Sequence, residues 1–207
     1  VGIVGVGAGA MCGYWRPGDH YDLYEINPAV VHVAQDEKFF TYMKHCGEPD
    51  VILGDGRIRV EQQPDGRYDL ITIDAFNSDS IPTHLLTLEA AELYFKKLTK
   101  DGILLLHVSN RYLFLNGVVG KIAEELGVEV RVRSDKFEDL DKETVKRLEG
   151  LGSRWCVLTR DKDKIKQLDA TGRWHKPSTE DAPLWTDTHT SLLPIFILGE
   201  RFESKTQ

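Results

Sequence analysis

The sequence predicts a doubly wound α/β sheet, and three observations predict it. Short apolar runs alternate with helical apolar spacings along most of the chain. A glycine-rich turn, Gly5-Val6-Gly7-Ala8-Gly9-Ala10, follows the apolar run over residues 1–4. An acidic residue, Glu25, closes the next run, Tyr21-Asp22-Leu23-Tyr24, twenty residues beyond Gly5. Strand, tight turn, helix, strand and then a carboxylate is the order of a βαβ unit that holds an adenosine-containing ligand. The glycines allow a backbone approach that a Cβ would block.

The remaining elements follow in order. Pro28 stands where a helix begins, and residues 29–40 carry helical spacing through Val30, Val33, Ala34 and Phe40. Residues 50–53 predict a short strand leading into Gly54-Asp55-Gly56-Arg57, and residues 68–73 a strand that ends at Asp74. A helix is predicted over 83–97, with Leu85, Leu86, Leu88, Ala91, Leu93 and Tyr94 among its apolar positions. The run over 103–108 suits a buried parallel strand. Residues 116–126 predict a helix closed by Gly127, and strands are predicted over 128–132 and 155–159. Between those strands, residues 134–149 are charge-rich and predict a solvated loop and surface helix.

Composition narrows the classes. The chain of 207 residues is long enough for one α/β domain, and 41% apolar with 29% charged residues is ordinary for a soluble globular chain. A net charge of −7 argues against a nucleic-acid partner, which selects a basic surface. Cys12, Cys46 and Cys156 are odd in number and without a CxxC, which predicts reduced thiols in a cytoplasmic protein and neither a disulfide frame nor a metal site. No apolar stretch reaches the ~20 residues of a bilayer span, and no signal peptide is recognisable. The chain lacks an initiator Met and opens inside an apolar run, so sequence is expected before residue 1.

The turn alone fits a dinucleotide fingerprint and the GxGxG turn of S-adenosylmethionine users equally well. The carboxylates separate the two. Asp55 and Asp74 each fall just past a predicted parallel strand, on the same sheet edge as the turn and Glu25. Either is individually an ordinary helix N-cap, but three on one rim oppose a pyrophosphate and suit a neutral nucleoside joined to a cationic sulfonium.

These residues carry a family resemblance. Gly5-Val6-Gly7-Ala8-Gly9, Glu25-Ile26-Asn27-Pro28, Gly54-Asp55-Gly56-Arg57 and the run from Tyr68 to Asp74 resemble the spermidine synthase (polyamine aminopropyltransferase) family. The stretch from Asp74 to Ala90 is similar to bacterial spermidine-synthase-like domains that occur alone or fused to membrane transporter segments, as is Trp185-Thr186-Asp187. The resemblance covers residues 1–160 well and the tail loosely. It implies a seven-stranded, mostly parallel, Rossmann-like sheet of the S-adenosylmethionine-dependent methyltransferase type, with residues 1–207 as a single nucleoside-binding domain that lacks the family's N-terminal hairpin. It implies that Gly5, Gly7 and Gly9 form the cofactor turn, that Glu25 binds the ribose hydroxyls, that Asp55 and Gly56 sit at the adenine, and that Asp74 lies beside the sulfonium and the incoming amine. A homo-oligomer, and a tether to a membrane segment outside this chain, are further implications. One departure stands out: the family's second aspartate, three residues after the first, is Asn77 here, and the next carboxylate is Asp79.

The expected reaction is transfer of an aminopropyl group from decarboxylated S-adenosylmethionine to a putrescine-like polyamine, releasing 5′-methylthioadenosine, with no metal. An alkyl ammonium with a pKa near ~10.4 must lose a proton before it attacks, and Asp74 and Asp79 are the candidate catalytic carboxylates. The acidic pocket would repel the carboxylate of intact S-adenosylmethionine. The alternatives are a methyltransferase using intact S-adenosylmethionine, a non-catalytic nucleoside-sensing module of a larger protein, and a NAD-dependent oxidoreductase that rests on the turn alone. The seven histidines show no metal-ligand spacing. His84 reads as a helix-start or surface residue, and His107 as a satisfied polar group at a strand end. Ser78 and Ser80 lack a nucleophile elbow.

Overall fold

The computed structural model describes residues 1–75, 82–110, 112–135 and 152–196. Its centre is a seven-stranded sheet in the order β3-β2-β1-β4-β5-β7-β6. The strands are β1 (Gly2–Val4), β2 (Asp22–Glu25), β3 (Asp50–Leu53), β4 (Tyr68–Ile73), β5 (Leu98–His107), β6 (Glu129–Asp135) and β7 (Ser153–Thr159). Strands β3, β2, β1, β4 and β5 pair in parallel, and β7 runs antiparallel between β5 and β6. The helices are α1 (Pro28–Gln35), α2 (Gly56–Glu61), α3 (Leu88–Lys97), α4 (Leu115–Leu126) and α5 (Lys162–Ala170). The mostly parallel, doubly wound sheet is therefore as expected.

Strand alternation divides the core between two faces. Val4, Tyr24, Ile71 and Ile73 join Leu104 and Leu106 under Ala91, Tyr94 and Phe95 of α3 and Val118, Val119 and Ile122 of α4. Ile3, Tyr21 and Leu23 point the other way, onto Val6, Ala34, Cys12 and Cys46. That second cluster is smaller because short elements cover it.

Three predicted helices changed shape. The helix expected after the glycine turn is a five-residue 3-10 turn, Ala10–Tyr14; Gly13 and Pro17 leave no room for a longer helix. Helix α1 stops at Gln35, because Asp36 leaves the helical region and its side chain accepts from the Lys38 N–H. The helix expected over 83–97 is a 3-10 turn, Thr83–Leu85, followed by α3, because the extended Thr87 caps the Ala90 N–H and restarts the chain. Gly127 closes α4 in the left-handed region as predicted. Helix α2 is capped by Asp55, one of the two aspartates that read as possible N-caps, and α5 was not among the expected elements.

The expectation of three reduced thiols fails. Cys12 and Cys46 form a disulfide across 34 residues, and only Cys156 is free among the described residues. The wide spacing hid the pair. Topology joins them, because the turn after β1 and the 3-10 turn Tyr42–His45 before β3 cover the same small core. Cys156 is fully buried, which pushes its thiol well above the ordinary range. Of the predicted charged stretch, residues 136–149 lie outside the described residues. Among the described residues no helix is long and apolar enough to cross a membrane.

Candidate functional site

The sheet order reverses between β1 and β4, and a cavity of about 490 Å³ opens there at the carboxyl ends of the parallel strands. Val4, Ile26, Val30, Pro82 and Leu85 supply apolar walls, and Gly5, Gly7, Glu25, Asp55, Gly56 and Asp74 all line it. Six of the sequence-predicted site residues thus meet in one place. His84 lines it too, and no Lys or Arg does among the described residues.

The glycines of the turn do different work. A Cβ on Gly5, at φ +96°, would lie 2.3 Å from the Asp74 carbonyl oxygen, so this glycine lets β1 pass close to the end of β4. Gly7, at φ +53°, faces open space and leaves the cavity floor as bare backbone. Gly9 is not among the lining residues; its N–H closes the turn onto the Val6 carbonyl at 2.8 Å.

Glu25 ends β2 and is 9% exposed. Its two oxygens accept from the backbone N–H groups of Val6 and Asn27, each at 3.0 Å. The carboxylate is held rigid by amides, and its remaining lone pairs serve a hydroxyl-bearing ligand. The same bond uses the Val6 N–H, an amide that a phosphate would otherwise recruit.

Asp55 serves as both helix cap and cavity wall. One oxygen caps the Ile58 N–H of α2 at 3.0 Å, and the other lies 3.0 Å from Nε2 of His84. Arg57, two residues on, donates to the His84 carbonyl at 2.9 Å and forks onto both oxygens of Asp187 at 2.6 Å. Thr87 Oγ1 donates to Asp187 at 2.7 Å. Bonding to Arg57 holds the Asp187 carboxyl down to about 2, and the same pair raises Arg57. This clamp ties the 3-10 turn that carries His84 to α2 and to the tail.

Asp74 follows β4. Its Oδ1 lies 2.7 Å from Nδ1 of His107, the last residue of β5, whose Nε2 lies 2.6 Å from Ser109 Oγ. The His107 ring stacks on Trp155 of β7, with centroids 4.3 Å apart and planes 10° apart.

Other expectations fare unevenly. Asp79, the second candidate catalytic residue, and Asn77, Ser78 and Ser80 lie outside the described residues. Trp185 is fully buried, with its indole N–H on the Ser191 carbonyl, so it anchors the tail. His84 and His107, read in the sequence as a helix-start or surface residue and a strand-end polar group, both contact site carboxylates; their only signal was position, inside the Asp74–Ala90 stretch and at a strand end on the ligand edge. Arg57 was visible as the residue after Gly56, but its partner is 130 residues away.

Comparison with known proteins bears on the family resemblance and the fold. No protein-family model matches the chain. A curated polyamine aminopropyltransferase from Vibrio vulnificus is 33% identical over 107 residues, which are 49% of this chain and 35% of that protein. The chain thus matches about a third of the length of that relative. Among solved structures, the spermidine synthase from Thermotoga maritima superposes with a TM-score of 0.59 at 17% identity, over 80% of this chain and 55% of that one. A probable spermidine synthase from Corynebacterium glutamicum gives 0.57 at 18% identity, over 78% and 56%. The family resemblance read from the sequence is borne out, and the fold is the Rossmann-like one it implied.

Proposed function

We propose that this chain transfers an aminopropyl group from decarboxylated S-adenosylmethionine to a putrescine-like polyamine, releasing 5′-methylthioadenosine. One observation carries the reading: among the described residues three carboxylates, one histidine and no Lys or Arg line a largely apolar cavity at the switch point of the sheet. Apolar walls suit an adenine, amide-held Glu25 suits vicinal ribose hydroxyls, and the anionic rim suits a sulfonium and a cationic amine. The named relatives support it, and the activity, substrates and domain organisation of the whole protein are part of the proposal, with residues 1–207 acting as one nucleoside-binding domain.

In the chemistry proposed, the acceptor ammonium gives one proton to a carboxylate, for which Asp74 is the candidate. The neutral nitrogen then attacks the carbon beside the sulfonium. An N–C bond forms as the C–S bond breaks, its electron pair stays on sulfur, and the thioether and a secondary ammonium leave. The leaving group is already good, so alignment supplies most of the catalysis. The proposal includes a cytoplasmic site of action and no metal in the reaction.

The test is a mass-spectrometric product assay with intact or decarboxylated S-adenosylmethionine, with and without putrescine or spermidine, on the wild type and Asp74→Asn. The expected result is amine-dependent 5′-methylthioadenosine from the decarboxylated form, reduced by roughly 100-fold or more in the variant, the size of a general-base contribution. S-adenosylhomocysteine would indicate methyl transfer instead. Nucleoside binding without any product would leave a sensing module.

A further inference from the structure

Asp74, His107 and Trp155 stand in a row across three neighbouring strands. Ile73 pairs with Leu106 in the β4–β5 ladder, so the next residues, Asp74 and His107, emerge side by side; His107 in turn pairs with Trp155 in β7. The row continues through Ser109. Its Oγ accepts the Arg154 backbone N–H at 2.7 Å and lies 2.6 Å from Nε2 of His107, and because the Asp74 carboxylate can only accept from Nδ1, the neutral ring takes the Ser109 hydroxyl hydrogen at Nε2. A neutral imidazole that accepts at Nε2 carries its hydrogen at Nδ1, and Nδ1 lies 2.7 Å from Asp74 Oδ1.

Carboxylate, imidazole and hydroxyl are connected in the order of a nucleophilic triad. The placement argues for the reverse use. Asp74 lines the cavity, whereas His107 and Ser109 do not, and Ser109 already accepts a backbone amide. The working end is the carboxylate.

We propose that His107 is a positioning residue for Asp74, an inference that rests on the aminopropyl-transfer reading. Ser109 locks the imidazole in its Nδ1–H form and stacking on Trp155 fixes its plane, so His107 donates to one carboxylate oxygen. The second oxygen is thereby aimed at the amine nitrogen. Displacement of the carboxylate oxygen by about 1 Å would spoil the line of attack without touching nucleoside binding.

The experiment has two arms. In steady-state kinetics of amine-dependent 5′-methylthioadenosine release, His107→Leu lowers kcat by roughly 10- to 100-fold, the cost of misplacement, with KM for the nucleoside substrate unchanged. His107→Asn, which puts an amide donor near the position of Nδ1, restores most of that loss. Equal losses in both variants, or none in either, overturn the assignment. The second arm needs no turnover. Imidazole 15N spectra of the wild type show the Nδ1–H tautomer for His107, and Ser109→Ala shifts it toward a mixture; an Nε2–H tautomer in the wild type overturns the proposal. A wild type that forms no product while showing the Nδ1–H form sinks the transfer reading and not the His107–Asp74 geometry.

Discussion

At the residue scale the site is built from groups with two jobs. Glu25 binds two backbone amides and lines the cavity. If its free lone pairs hold the ribose, charge-assisted bonds worth ~1.5–3 kcal/mol are at stake. Glu25→Gln is expected to weaken 5′-methylthioadenosine binding by roughly 10- to 100-fold, and a 2′,3′-dideoxy analogue to bind wild type and variant alike. Calorimetric titration of both ligands on both proteins closes the cycle; equal weakening for the two ligands would assign Glu25 to the turn alone. Glu25 was readable because strand order and spacing fix it. His107 was not, because its role comes from register between β4 and β5, which no local pattern in the chain records.

At the element scale, long apolar runs such as that of β5 survive any local uncertainty, whereas helix ends depended on single residues. Thr87 and Asp36 redirected the chain through side-chain bonds that hydrophobic periodicity does not report. The tail was the least legible element, because Asp187 acquires its purpose only beside Arg57. That pair makes a pH prediction. The folded Asp187 carboxyl is depressed to about 2 from 3.8, with bonding to Arg57 as the largest cause. A depressed carboxyl stabilises above its unfolded pKa and loses that contribution as pH falls through the folded one. The stability gap between wild type and Asp187→Asn is therefore expected to be full at pH 5 and to close between about pH 4 and pH 2. Asp187 is partly exposed, so solvent screening keeps the gap modest. Urea unfolding of the two proteins across that range reads it; a gap independent of pH would mean the clamp acts by packing.

At the scale of the whole molecule, the two faces of the sheet are unequally secured. The α3–α4 face carries a continuous apolar cluster, while the face behind the glycine turn relies on few side chains and the Cys12–Cys46 bridge. The bridge also touches the site indirectly: Met43 packs where a Cβ on Gly9 would sit, and its sulfur lies 3.8 Å from Cys12. A loop of 34 residues corresponds to roughly 3–4 kcal/mol of unfolded-state entropy. Reductant is therefore expected to lower urea-unfolding stability by about that amount. A Cys12→Ser/Cys46→Ser double variant should match the reduced wild type and ignore the reductant. Because the smaller core supports the turn and the larger one does not, hydrogen exchange on reduction should quicken in residues 5–15 and 42–46 and leave α4 protected. Uniform acceleration over both faces would show that the bridge acts on global stability alone. An unreduced protein that titrates as three free thiols would put the pair in its open form and remove this support from the turn.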